Sequence, residues 1–305
     1  MRITENRWKF VLIPALIIIA GIVMYFVHGG FNFDVEFMGG SRMQVELNTE
    51  FDNDEIAKLI YDKTGANAKV QKSGESVTQA VIKVQATENS EETKTQVMEA
   101  LGEKYGITND QLISSTTASA SFGKEVQRKA LTYTLLAILC ILLYIAIRFE
   151  WKSAVMAVIA LAINVIVMAA VYTITNIPLN TTFIAAMLTV VGYSINNTIV
   201  IFDRIRENMK ARRKDKTITE MVNKSVVETL GRTINSTITT LITIVLIYIL
   251  GVNAIKEFAL PLIVGIVAGA YTSIFIASSF WAVWKEAELK ARIEAAAAKR
   301  SNKKN

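Results

Sequence analysis

Charged residues are absent from six stretches of the chain: Phe10–Val27, Ala130–Ile147, Ala154–Ile174, Thr181–Phe202, Ile234–Val252 and Phe258–Trp284. Each is 18 to 27 residues long, and a bilayer core about 30 Å thick takes roughly 20 apolar residues of helix. The pattern predicts six transmembrane helices. Between the first two, residues 28–129 follow shorter rhythms. Arg42–Leu47 alternates as a strand, and Asn53–Lys63 sets Ile56, Leu59 and Ile60 at helical spacing behind an Asp52/Asn53 cap, with Gly65 past the end. Ala68–Gln71 and Val77–Gln85 read as strands joined by a Ser73-Gly74 turn. Ser90–Tyr105 reads as a second helix stopped by Gly106, and Gln111–Thr117 as a last strand. The order is βαββαβ, the ferredoxin-like arrangement with helices on one face of an antiparallel sheet. The expected fold class is therefore an α-helical polytopic membrane protein carrying an α+β ferredoxin-like extracytoplasmic domain.

Composition alone would mislead. Hydrophobic residues at 52% and charged residues at 20% of 305 lie near the averages for soluble domains, about 45–50% and about 25%. The 60 charges all fall outside the six windows, where they form a third of the residues, so a soluble protein is excluded. The net charge of +6 is a topology signal and not a nucleic-acid footprint. Residues 1–9, 148–153, 203–233 and 285–305 hold 3, 2, 9 and 7 Lys or Arg, whereas the loops 175–180 and 253–257 hold none and one. By the positive-inside rule the first four are cytoplasmic, with both termini inside. The first window lacks an Ala-x-Ala site and is expected to be an uncleaved signal anchor, a cleaved signal peptide being the minor alternative. The domain 28–129 has 11 basic and 16 acidic residues, and long domains translocate largely regardless of charge. It is either a spacer or a surface for an extended client or partner.

Polar side chains within spans usually face a bundle interior and often mark a pathway. The fourth helix groups Ser194, Asn196, Asn197 and Thr198, with Asp203 just beyond. The fifth is expected to open at Arg232 and continues through Thr233, Asn235, Ser236, Thr237, Thr239 and Thr240. Arg232, Asn235 and Thr239 share one helical face. Asn197 lies about 9 Å from Asp203 along the axis at 1.5 Å per residue, so Arg232 could reach it from the cytoplasmic side. The plainer alternative makes Arg232 an interfacial anchor and Asn197 interhelical glue. In the last helix Gly265, Gly269 and Ser273 recur every four residues, a spacing suited to close helix packing. Pro14 and Pro261 are candidate kinks.

Catalytic chemistry is poorly provided for. His28 is the single histidine, no span holds Asp or Glu, and no G-x-x-x-x-G-K-[ST] loop occurs, which argues against zinc, Ser-His and ATP-hydrolysing sites. The lone Cys140 excludes an internal disulfide and reads as a packing residue. No cofactor or metal is expected.

The segment Val191–Asn208, from Val191-Gly192-Tyr193 through Asn196-Asn197 to Phe202-Asp203-Arg204, closely resembles the signature of the SecF family, the smaller subunits of the SecDF protein-export complex. Thr229–Ser236 with Thr239-Thr240-Leu241 is similar to that family's Arg-containing fifth-helix motif, and Phe37-Met38-Gly39-Gly40-Ser41 to its D-F-x-G-G-[TS] element. The resemblance implies one half of a resistance-nodulation-division-type bundle in the bacterial plasma (inner) membrane, paired with a six-helix SecD subunit. It further implies that the pair uses the ion-motive force to help unfolded polypeptides leave the SecYEG channel. Three departures stand out. Asn197 occupies a position where the family usually has Asp; Glu36 and Asp34 replace the usual Asp and Gly; and Ser119–Phe122 lacks a Val-Gly-Pro pattern. The implied ion-coupling residues are Arg232, Asn197, Asn196, Asp203 and Asn235, with a titratable acid supplied by the partner, and Glu36, Gly39 and Gly40 form the motif loop. Two other functions stay open: an oligomeric half-transporter of the same superfamily exporting small molecules or lipids, and a non-transducing translocon scaffold.

Overall fold

The computed structural model describes residues 2–72, 77–85, 90–211 and 217–302. The chain divides into two compact units, a helical one (Met1–Gly30, Thr134–Ile177, Thr182–Asn305) and a sheet-bearing one (Phe31–Tyr133 with Pro178–Thr181). The expected Ser73-Gly74 turn, the basic residues Arg212, Arg213, Lys214 and Lys216, and the end of the tail from Lys303 lie outside the described residues.

The helical unit contains α1 (Arg7–Val27), the greater part of α5 (Ala120–Arg148), α6 (Trp151–Thr175), α7 (Thr181–Lys210), α8 (Ile218–Leu250), α9 (Asn253–Tyr271) and α10 (Ser278–Asn302). A π-helical turn, Thr272–Ala277, joins the last two into one continuous rod. Among the described residues, six helices are long and apolar enough to cross a membrane. Helices run past their charge-free windows because charge ends apolarity without ending helicity. The clearest case is α8. Thr217 Oγ1 accepts from the Glu220 N–H at 3.1 Å and the Glu220 carboxylate accepts from the Thr217 N–H at 3.1 Å, a capping box that starts the helix well before Arg232. The expectation that Arg232 opens the fifth helix is thereby corrected: it sits within α8, and most of the described part of 203–233 is helix.

Small residues bring the rods together. Ala154, Ala157 and Ala160, spaced three apart on α6, are buried in the bundle core beside Ile201, Ile205, Val222 and Trp281. A Cβ on Gly21 of α1 would lie 2.5 Å from the Ala170 Cβ, so only glycine permits this α1–α6 approach. Pro14 and Pro261 lie inside α1 and α9.

In the sheet unit, after the one-turn helix α2 (Val35–Met38), the order is β1 (Gly40–Glu46), α3 (Asn53–Thr64), β2 (Ala68–Lys72), β3 (Gln79–Gln85), α4 (Ser90–Tyr105) and β4 (Leu112–Ala118). The four strands form an antiparallel sheet ordered β2-β3-β1-β4. Met43, Val45, Ile82 and Val84 point from the sheet into a core shared with Ile56, Ile60, Val97 and Leu101 of the two helices. Asp52 caps α3, its Oδ1 accepting from the Asp54 and Glu55 N–H groups, and Gly65 ends it at φ 69°, a conformation suited to glycine.

Candidate functional site

Adjacent residues on a helix point about 100° apart, and α7 uses this to divide its polar cluster. Ser194, Asn197 and Thr198 are buried, whereas Asn196 is exposed and Asp203 half-buried. The buried side joins a polar network across α6, α7 and the π-helical turn. Asn164 Nδ2 donates to Ser194 Oγ at 2.7 Å, and Thr272 Oγ1 donates to Asn164 Oδ1 at 2.7 Å. The Thr198 and Ser273 hydroxyls lie 2.7 Å apart, and Ser273 Oγ also reaches the Ser194 carbonyl at 3.3 Å. Such π-helical turns concentrate at functional sites. Asn164 escaped sequence reading because it is the single amide in an apolar span, and Thr272 because it lies outside the four-residue Gly265–Gly269–Ser273 series; scanning every span for polar residues would have found them.

Gly265 and Gly269 make the network possible. A Cβ on Gly265 would overlap the Val190 side chain, and one on Gly269 would lie 2.9 Å from the Ser194 Cβ. Ser273, next in that series, is fully buried. Asn197 is 3% exposed, and its Nδ2 has no hydrogen-bond partner among the described residues.

The polar face of α8 points the other way. Arg232, Asn235 and Thr239 are exposed on the surface of the chain, while Thr233 and Thr237 of the same run turn inward. Thr239 spends its hydroxyl on its own helix, donating to the Asn235 carbonyl at 3.0 Å. Among the described residues Arg232 forms no hydrogen bond or ion pair, and none of them joins it to Asn197. Asp203 lies 3.9 Å from Arg148.

The motif loop lies in the sheet unit. Gly39 (φ 81°) and Gly40 (φ 126°) take positive φ values as the chain enters β1, where a side chain would be strained. Glu36 accepts from the Thr181 N–H at 2.8 Å and from its hydroxyl at 2.5 Å. Nearby, the Asp34 N–H donates to the Leu179 carbonyl at 2.9 Å and the Leu179 N–H to the Asn32 carbonyl at 2.7 Å. Gln127 Nε2 donates to the Phe37 carbonyl at 2.7 Å, and a Cβ on Gly123 would meet that same oxygen at 2.5 Å.

Asp34 is 1% exposed and ion-paired with Lys83 at 3.1 Å and Arg42 at 3.5 Å. Arg42 and Lys83 stand opposite each other on the β1–β3 ladder, a repulsive placement that the carboxylate offsets. Burial holds the Lys83 ammonium below the ordinary lysine value of 10.5, with Asp34 pulling it partly back.

Residues 97–287 match the family of protein export membrane proteins SecD/SecF, C-terminal. A protein translocase subunit SecF from Alicyclobacillus acidocaldarius is 35% identical over 291 residues, 94% of each chain. The SecDF subunit of Bacillus subtilis is 35% identical across 94% of this chain but only 38% of its own length. The crystal structure of SecDF from Thermus thermophilus, described as translocon-associated, superposes with a TM-score of 0.82 at 29% identity, covering 93% of this chain and 38% of that one.

Proposed function

Because this chain belongs to the SecD/SecF family of protein-export membrane proteins, we propose that it is a SecF-type subunit that pairs with SecD and uses the ion-motive force to promote late steps of export through SecYEG. A role in protein translocation and a partnership with SecD follow from relatives named as translocase subunits, two of them, from Bacillus subtilis and Thermus thermophilus, named SecDF as single chains. The six helices are then one half of a resistance-nodulation-division-type bundle in the bacterial plasma membrane, both termini in the cytoplasm. The sheet unit, whose element and strand order fit a ferredoxin-like domain, lies outside, where it meets the emerging unfolded polypeptide. The function is mechanical and non-enzymatic.

The observation that carries this reading is the outward polar face of α8. Polar and charged groups facing lipid are expensive, so Arg232, Asn235 and Thr239 call for a covering protein surface, and the second half of the fused relatives supplies one. Arg232 is the counter-charge for an acid on SecD, and Asn197 is a neutral member of the path where other family members titrate. Protonation of the partner's acid would release Arg232 and bias a two-state packing of the halves.

Arg232→Met, assayed in inverted vesicles holding both subunits and the channel, should abolish the stimulation of export by an imposed ion gradient while the protein remains inserted. Stimulation at the unsubstituted level would leave a non-transducing scaffold as the better reading. Asn197→Asp should shift the pH dependence of that stimulation, and an unchanged profile would reduce Asn197 to packing.

A further inference from the structure

We propose that a pocket in the helical unit binds the phosphate headgroup of an anionic glycerophospholipid. The pocket, about 460 Å³, opens among the ends of α5, α7 and α10 and the α5–α6 connection. Three charge-free windows end at its level: Ile147 gives way to Arg148, Phe202 to Asp203 and Trp284 to Lys285. That is where a spanning helix passes from hydrocarbon to headgroups, and the perpendicular Trp151–Trp284 pair, 5.0 Å between ring centroids, is the aromatic signature of the same level.

Charge selects the ligand. Arg148, Arg206, Lys210 and Lys285 line the pocket against a single carboxylate, Glu150. Lys285 is taken by Glu150 at 2.7 Å and Arg148 leans towards Asp203 at 3.9 Å. Arg206 reaches only the Arg148 carbonyl at 3.4 Å, and neither Arg206 nor Lys210 has a carboxylate partner among the described residues. Their neighbours are treated differently: Arg204 is matched by Glu207 and Glu228, and Lys152 by Glu288. Two cations are thus left over at one opening.

The floor of the pocket supplies an independent sign. Trp281 is 4% exposed, and its Nε1–H is buried with no hydrogen-bond partner among the described residues. A buried donor without an acceptor is unfavourable, and a small shift of the indole towards the pocket would let a phosphate or ester oxygen accept from it. Apart from Ser153 the remaining wall is apolar, built chiefly by Ile147, Phe149, Phe202, Ile205 and Met209, which suits an acyl chain leaving the headgroup and not a free, fully hydrated anion. Basic pockets between spanning helices on the cytoplasmic side are a recurrent way to hold anionic lipid. The inference rests on the helices crossing a bilayer and is independent of ion coupling, so the two can fail separately.

The test is lipid retention by the full-length chain in detergent, followed by native mass spectrometry after adding dioleoyl phosphatidylglycerol or dioleoyl phosphatidylcholine. The unsubstituted chain should retain phosphatidylglycerol in preference. Removing both free cations in R206Q/K210Q should weaken that retention roughly 25-fold, about fivefold per charge, and W281F should weaken it severalfold without disturbing the fold. The control R2Q/K224Q, with the same loss of charge elsewhere, should stay within about twofold on the same scale. Equal retention of the two lipids, equal losses in R206Q/K210Q and the control, or displacement by excess inorganic phosphate would overturn the proposal. Should R206Q/K210Q not be recovered, W281F decides, with unchanged retention counting against the site.

Discussion

Two polar helix faces in one bundle are finished differently. On α7, Ser194 and Thr198 turn inward and are answered by Asn164 and Ser273, with Thr272 holding Asn164 and Gly269 leaving room for the contact. On α8, Arg232, Asn235 and Thr239 turn outward and, among the described residues, are answered by nothing from another helix. The sheet unit repeats the first pattern, closing Asp34 against Lys83 and Arg42. On the function proposed above, groups closed within the chain hold the fold of the single subunit, and groups left open serve assembly and transport. Substitutions should therefore separate into those that lower stability and those that leave stability alone while removing function.

Asp34→Asn should have the largest effect, lowering the stability of the sheet unit by about 3–5 kcal/mol, since it strands a buried lysine; thermal unfolding of the purified chain measures it, and an unchanged midpoint would place Asp34 among the open groups. The same cluster has a pH signature. With the folded Lys83 value below 10.5, the unfolded chain binds the proton more tightly, so the lysine costs stability at neutral pH. That cost fades as pH rises through the folded value towards 10.5, and Lys83→Met should abolish the alkaline gain in a pH series of unfolding midpoints.

Gly269→Val, which forces a side chain onto Ser194, should cost about 1–3 kcal/mol, read by denaturant titration in detergent. Asn164→Leu should cost about 1–2 kcal/mol, the range for interhelical hydrogen bonds in membranes, by the same titration. At the small end, Arg232→Met should change the stability of the isolated subunit by no more than about 0.5 kcal/mol, despite its loss of gradient-driven export. A large loss of stability there would erase the distinction between the faces.

The six spans were legible because exclusion of charge from a bilayer leaves a mark on sequence that needs no contacts to read. The α and β elements of the sheet unit were legible too, down to the Asp52 cap and Gly65 stop. The start of α8 was hidden, since the Thr217–Glu220 capping box lies in a charged stretch whose helicity is independent of its polarity. Periodicity put Arg232, Asn235 and Thr239 on one face but could not say what that face meets, a property of neighbouring helices. Asn164 went unnoticed as a single amide in an apolar span, and the partners of Asp34 came into view only with the β1–β3 register that sets Arg42 against Lys83.

Whether the α8 face is covered by a second subunit is best tested by cysteine protection. With the exposed Cys140 replaced by alanine, Asn235→Cys is labelled with a membrane-permeant maleimide in cells making this chain alone or together with SecD. Strong labelling of the chain alone and marked protection with SecD is the expected result; equal labelling in both would contradict the assignment of this face to the partner.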